Sequence, residues 1–436
     1  MDQADSEQLV VGQDARNKRR RLLKWLSIGL TVLSVIGISI VIAYPLAKRR
    51  PAAKFDFPTT VTIDDTRVHL VFGEGNGNMV TEAIIETGEV EHVTVQITES
   101  YVSDRTNIDN KDKVLDPVVK FDNVKSDTGT LVRYTVASKY HPEDSAQFKV
   151  LISFPRLFDG ELTIDGTTLD INTWNLGNAN LRLLHLSTDI GNITFHNGSR
   201  TDSGYGIYQP TMRTKALYAN IRQRGSILLN SPMVAAEYSR DFHAHLETRE
   251  GDITFEALTN MFSSTPHGEP WYPTEPTETL HYFNLVAHKG NIDFDIRFDG
   301  VYIGPWYIGT TRIDAKADSG SIQGNLRIGR LVNAFVVMQA THGCDLRLSN
   351  NFLGLLSLIS STGNAIVVPS PHNTDVFTDL RHPQRGLKYI FKYMDGEPYY
   401  VDTLSLKTLN GDAGVYFEDY VFDDDGYGNV STIRHY

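Results

Sequence analysis

The chain has 436 residues, with 41 basic and 53 acidic side chains, a formal net charge of −12 and one cysteine, Cys344. A single thiol excludes an intrachain disulfide framework and any cysteine-rich metal cluster. Beyond residue 54 the balance is 31 basic against 49 acidic side chains, about −18, which repels phosphate backbones and excludes nucleic acid as a partner.

The first predicted element is a membrane span. From Trp25 to Ala47 there are 23 residues without a charge, enough for a helix to cross roughly 30 Å of hydrocarbon. Trp25 and Tyr44 sit near its ends, where amphipathic aromatics prefer to lie. The run is longer than a signal-peptide core and its charged lead is long, which favours an uncleaved anchor over a cleaved signal. Arg16, Lys18, Arg19, Arg20, Arg21 and Lys24 precede it, against Lys48, Arg49, Arg50 and Lys54 after it. That bias predicts residues 1–24 as a cytoplasmic basic tail, 25–47 as the transmembrane helix, 48–54 as a juxtamembrane linker and the rest as extracytoplasmic.

Residues 55–147 carry alternating runs at 61–72, 90–97 and 130–137, separated by glycine-rich and charged segments. Alternation at period two predicts strands, which together make a small antiparallel β unit that caps residues 148–418. The glycines Gly73, Gly75 and Gly77 come after a strand, but no helical pattern succeeds them, so a hairpin loop is favoured over a phosphate-binding turn.

From residue 148 to 418 one phrase recurs: two apolar residues in alternation, a polar turn closed by glycine, then two more. In clean copies the apolar positions lie seven and five residues before the glycine and two and four after it. Leu184, Leu186, Gly191, Ile193 and Phe195 fit this frame, as do Ala244, Leu246, Gly251, Ile253 and Phe255, and Phe283, Leu285, Gly290, Ile292 and Phe294. Further copies centre on Gly363 and Gly411, and imperfect ones on Gly225, Gly320 and Gly343; those at Gly225 and Gly343 slip by one residue in one half. Each unit reads as a strand, a tight corner and a second strand, each with one buried face. Such a unit cannot bury its own apolar face, and stacking along an axis buries it continuously. The predicted class is therefore all-β: a β-solenoid-like stack of strand-turn-strand repeats with an N-terminal β cap, preceded by one transmembrane helix. Uneven spacing between repeat glycines predicts loop insertions, the clearest being the proline-rich segment 260–280 and residues 369–400.

The run FKVLISFP at 148–155, together with HLETREGDITF, VAHKGNIDF and AKADSGSIQG further along, resembles a candidate-adhesin family whose repeat domain is of the DUF4097 type. The resemblance covers roughly residues 145–418. It implies a β-solenoid-like domain tethered to a membrane, and it carries no catalytic residues to transfer.

Chemistry-bearing motifs are sparse. GxSxG, HExxH and CxxC do not occur. Asp293 and Asp295 flank Phe294 on one predicted strand and point outward together, the one seed for a carbohydrate-cleaving site. The acidic tail 419–436, with Asp423, Asp424 and Asp425, lacks the spaced ligands of a calcium loop, so no cofactor or metal is expected. Cys344, just after a repeat glycine, reads as a buried structural thiol. Asn192, Asn197 and Asn429 head N-x-Ser/Thr sequons and are the candidate glycosylation sites. The candidate binding residues are Trp271 and Tyr272, aromatics in the proline-rich insertion. Together these features point to a single-pass, non-enzymatic, adhesin-like surface protein that binds a glycan, wall polymer or protein. A carbohydrate-active enzyme and a membrane-linked sensor or scaffold are the alternatives.

Overall fold

A computed structural model of the chain describes residues 60–72, 80–102, 117–126, 129–138, 146–155, 158–174, 176–196, 212–235, 241–258, 277–298, 307–328, 332–349, 352, 354–368, 376–379, 387–392 and 402–418. The predicted span at 25–47, its flanking tail and linker, and the acidic tail at 419–436 lie outside the described residues. Among those described, no helix is long and apolar enough to cross a membrane.

Every described element is a strand. The first are β1 (Thr60–Ile63), β2 (Arg67–Phe72), β3 (Val80–Gly88), β4 (Val93–Val102), β5 (Pro117–Ser126), β6 (Gly129–Ser138) and β7 (Ala146–Pro155). Next come β8 (Glu161–Thr168), β9 (Asp170–Trp174), β10 (Leu176–Ile190), β11 (Ile193–Phe195), β12 (Met212–Arg224), β13 (Ile227–Ala235), β14 (Asp241–Glu250) and β15 (Ile253–Leu258). They are followed by β16 (Thr277–Lys289), β17 (Ile292–Phe298), β18 (Tyr307–Ala317), β19 (Ser321–Ile328), β20 (Val332–Ala340) and β21 (Gly343–Ser349). The last are β22 (Gly354–Ser360), β23 (Ala365–Val368), β24 (Val376–Asp379), β25 (Leu387–Lys392), β26 (Asp402–Thr408) and β27 (Ala413–Glu418).

Each repeat is one coil with a first arm and a second arm. From β8 to β20 the first arms β8, β10, β12, β14, β16, β18 and β20 pair in parallel, each with the next. The second arms β9, β11, β13, β15, β17, β19 and β21 do the same. The apolar frame lies between these two ladders, as predicted. Leu184, Leu186, Ile193, Phe195, Ala244, Leu246, Ile253, Phe255, Phe283, Leu285, Ile292 and Phe294 are all buried. Phe255 on a second arm meets Phe283 on a first arm with ring centroids 5.5 Å apart, which shows the inner faces in contact. Burying each such large side chain contributes about 1.5–3 kcal/mol.

The two slipped copies have a local cause at the corner. Three residues separate Thr248 from Asp252, but four separate Ile221 from Ser226, and the β10–β12 register shifts at that point. At the other slip, Ala317 pairs with Ala340 while Ser321 pairs with Gly343, so that corner is one residue shorter. Its glycine slot is filled by His342, and Gly343 already belongs to the second arm. An insertion or deletion at the corner therefore leaves both arms in register.

The N-terminal region differs from expectation. Instead of a separate antiparallel unit, residues 67–88 form a coil of the stack, with β2 parallel to β8 and β3 parallel to β9. Residues 129–155 form the outermost coil, through β6 on β2 and β7 on β3. Antiparallel strands close this end: β5 on β6, β4 on β7 and β1 on β4. The other end repeats the arrangement. The last coil in sequence, β26 and β27, lies between the coil of β20 and β21 and that of β22 and β23. There β25 runs antiparallel to β22, and β24 to β25.

The corners fix the axial spacing. Gly251 and Gly290 adopt φ of 151° and 156°, which side chains rarely tolerate. A Cβ on Gly290 would also collide with the carbonyl oxygen of Gly251, and one on Gly251 with that of Gly225. At Gly343, by contrast, the nearest backbone atom to an added Cβ would be Asp412 O at 3.7 Å, and no positive φ is present. Gly290→Ala should therefore cost about 2 kcal/mol or more in urea or thermal denaturation, whereas Gly343→Ala should stay within about 0.5 kcal/mol of wild type. Equal losses at both positions would contradict this account of the corners.

Candidate functional site

The register that aligns the core also aligns what points outward. On the outer face of the first arms, His185, Tyr218, His245, Asn284 and Asp314 occupy successive coils of one row. Ser187, Asn220, Glu247, Val286 and Lys316 form the row beside it.

Across these rows runs a chain of side-chain hydrogen bonds. The Asn284 amide Nδ2 lies 2.9 Å from His245 Nδ1, so that nitrogen accepts and His245 Nε2 is left to donate to Glu247 Oε2 at 3.3 Å. His288 Nε2 donates to the other Glu247 oxygen at 3.1 Å, and His288 Nδ1 donates to Asp318 Oδ2 at 2.7 Å. With both ring nitrogens donating to carboxylates, His288 is held as an imidazolium. The hydrogen bonds to Asp318 and then Glu247 push its pKa up. Burial alone would raise Glu247, but hydrogen bonds from His288 and His245 outweigh it and hold that carboxyl below its usual range. The Lys316 ammonium, 2.8 Å from Asp318, leads the lowering of Asp318. Beside this chain lies an open groove of about 460 Å³, lined by Asn220, Arg222, Glu247, Arg249, His288 and Lys289 among others.

The opposite face, formed by the second arms, carries Asp293 and Asp295. Both project outward from β17, and register places Glu256 beside Asp295 on one side and Asn325 on the other. Asp295 Oδ2 pairs with Arg297 Nη2 at 3.3 Å and with Arg327 Nη2 at 3.5 Å. Burial, then the nearby Asp295 charge, pushes up both Glu256 and Asp293. The arrangement therefore couples one carboxylate neutralised by two guanidiniums to two carboxyls that keep their protons to higher pH. Asp295 Oδ1 and Asn325 Oδ1 are buried without a hydrogen-bond partner.

Of the residues singled out from sequence, Trp271, Tyr272, Asn197, Asn429 and the glycines at 73, 75 and 77 lie outside the described residues. Asn192 sits at an exposed corner: its backbone N–H donates to Asp170 Oδ1 at 2.7 Å, and its own Oδ1 accepts from Ser226 N at 2.9 Å. Cys344 is fully buried, and burial pushes its thiol up to about 12, which makes it inert. Sequence reasoning missed the His245–Glu247–His288–Asp318 chain. The available signal was the alternation His243, His245, Glu247 within HAHLE, which sets three polar groups on one strand face.

No family model matches the chain, and no curated protein matches it in sequence. Among solved structures it is similar to a candidate cell adhesion protein from Clostridium sporogenes, at 8% identity, covering 82% of this chain and 98% of that one, with a TM-score of 0.18. Candidate adhesins from Parabacteroides distasonis (10% identity, 82% of this chain and 95% of that one, TM-score 0.25) and Bacteroides fragilis (9%, 83% and 98%, TM-score 0.24) are similar in the same degree. At those scores the fold rests on the strand register of this chain alone.

The His288 bridge has a definite pH signature. Its folded pKa lies above the unfolded value of about 6.5, so the stabilisation is present below that pH and is lost as pH rises through the raised folded value. In an NMR titration the His288 ring resonances should move with a midpoint above about 6.5, and Glu247→Gln or Asp318→Asn should lower that midpoint. A midpoint at or below 6.5 in the wild-type protein would break the assignment of the bridge.

Proposed function

We propose that the chain is a single-pass membrane protein, anchored through residues 25–47 with its N-terminus in the cytoplasm. Its β-solenoid serves as a non-enzymatic, adhesin-like binding body outside the cytosol. The partner is a glycan, a wall polymer or a surface protein. The observation that carries this reading is the division of labour between the two edges of the stack. From β8 to β23 one edge consists of short corners, while the connections of variable length at 197–211, 236–240, 259–276 and 299–306 each join the end of a second arm to the following first arm and so start from the other edge. A rigid framework with loops leaving from one side is how recognition surfaces are commonly built. Trp271 and Tyr272 fall in the connection from β15 to β16, and they are the binding residues of this reading.

A second reading is favoured by one observation. Glu256, with its raised pKa, stands in register beside Asp295 and two arginines, an arrangement a carbohydrate-cleaving acid could use.

Three measurements separate these readings. Protease added to intact cells should remove the body and spare residues 1–24; protection of the body would reverse the topology. On glycan and cell-wall arrays, residues 55–436 should bind a surface polymer, and deletion of residues 263–277 should abolish that binding. Release of reducing sugar by the wild-type body that disappears in Glu256→Gln would replace the binding reading with the enzymatic one.

A further inference from the structure

We propose that the groove on the outer face of the first arms, running across β12, β14 and β16 to the corner after β18, is a subsite for a linear, uncharged, polyhydroxylated polymer, a neutral glycan laid along the stack axis. The inference rests on the reading of the body as a surface-binding module, and it adds a site on the sheet face, away from the loop edge.

Size and lining select the ligand class. The groove, at about 460 Å³, falls within the range of ligand sites, yet it is open and mixes charged and amide groups with about as much apolar surface, where a small-molecule pocket is enclosed and mostly apolar. Charge narrows the choice further. His288 is neutralised by Glu247 and Asp318, Arg222 pairs with Asp189, and Lys289 pairs with Glu250 at 2.6 Å. Acids interleaved with bases leave only the Arg249 charge uncompensated, a weak field for a polyanion, and the bases repel a free cation. A single-stranded nucleic acid is disfavoured twice, by these acids and by the acidic body as a whole.

What remains is hydrogen-bonding capacity of both signs. Glu247 uses each carboxylate oxygen once, toward His245 and His288, and keeps acceptor positions open. Arg249 makes no ion pair or side-chain hydrogen bond among the described residues, although it lines the groove with five donor N–H groups. Asn220 supplies a donor and an acceptor on one amide. Hydroxyls, which both donate and accept, match such a surface. An aromatic platform stands at its rim: Tyr218, two residues before Asn220 on the same outward face of β12, is 39% exposed between the rings of His185 and His245. A flat ring with one wet edge can cover the apolar face of a sugar while neighbouring polar groups take its hydroxyls. Coils repeat about every 4.8 Å, so outward side-chain positions succeed one another along the axis at a fixed spacing, as the units of a linear polymer do.

The test uses the full chain in detergent micelles and measures binding to neutral polysaccharides (a β-glucan, a mannan, a xylan), to polygalacturonate and to heparin by affinity electrophoresis and calorimetry. At least one neutral polysaccharide should bind, with an affinity unchanged between low and high salt. Tyr218→Ala and Arg249→Ala, both outward and exposed, should each weaken it tenfold or more while leaving the melting temperature in place. Deletion of residues 263–277 should leave this binding intact even where it removes binding to another surface partner, so failure of the groove and failure of the loop-edge reading look different. The proposal is overturned if no neutral polysaccharide binds, if only the charged polymers or a protein bind, or if neither point variant weakens a neutral ligand that does.

Discussion

The rest of the structure depends on the backbone bond that ties each corner to the next. Gly225 N donates to Glu250 O at 2.8 Å, and Gly251 N donates to Lys289 O at 2.9 Å, so one corner rests directly on another. A second ladder reinforces it. The residue after each repeat glycine accepts, through its side-chain oxygen, the backbone N–H of its counterpart one coil on: Ser226 N to Asn192 Oδ1, Asp252 N to Ser226 Oγ, Asn291 N to Asp252 Oδ1 and Ser321 N to Asn291 Oδ1, at 2.7 to 3.1 Å. Corner amides that a tight turn would leave unpaired within the chain are thereby satisfied from the neighbouring coil. Gly343 has no side chain to offer, and there the ladder is interrupted between Ser321 and Asp412.

With the corners pinned, the registers of both arms are set. Side chains alternate with period two, so a slip of one residue would turn the apolar frame out to solvent and the polar rows into the core. The core and the outward rows are thus two consequences of one alignment. The inner corner position adds to it: Thr248 Oγ1 donates to Gly225 O at 2.8 Å and Thr408 Oγ1 to Gly411 O at 2.7 Å, so these buried hydroxyls are paired and point at the corner. A stack held this way still exposes pairing edges at its ends. The chain manages both ends alike in space: at the N-terminal end it lays the inner coil and then the outermost one, at the C-terminal end it lays the outer coil and returns to fill the one inside it, and antiparallel strands close each outside. No disulfide contributes, and the one thiol is spent as a small apolar side chain in the core.

How much of this could be read in the sequence divides along physical lines. The apolar frame and its glycines were legible because alternation and tight corners are local, and every clean copy buries its first three apolar slots. The slips at Gly225 and Gly343 were visible but not interpretable, since a corner that gains or loses one residue resembles a broken repeat until its neighbours show both arms in place. Residues 60–155 were legible as strands only. Alternation cannot say whether a strand pairs in parallel with a coil far along the chain, as β2 does with β8, or antiparallel with a sequence neighbour. The same limit hid the interposed last coil. At the candidate site, His245 and Glu247 shared a visible alternation, but His288 and Asp318 come from other coils and meet them only through register.

One experiment tests the coil order on which these faces depend. Ser405 on β26 pairs with Val337 on β20 and with Ser357 on β22, whereas Val337 and Ser357 stand two coils apart. Parallel neighbours lie about 4.8 Å apart, within disulfide reach, and two coils exceed the roughly 7 Å limit. Buried Cys344 will not compete for oxidation. Under mild oxidation the pair Val337→Cys with Ser405→Cys should form an intrachain disulfide, and Val337→Cys with Ser357→Cys should not. A disulfide in the second pair and none in the first would mean that the coils stack in plain sequence order, and the account of the stack would be wrong.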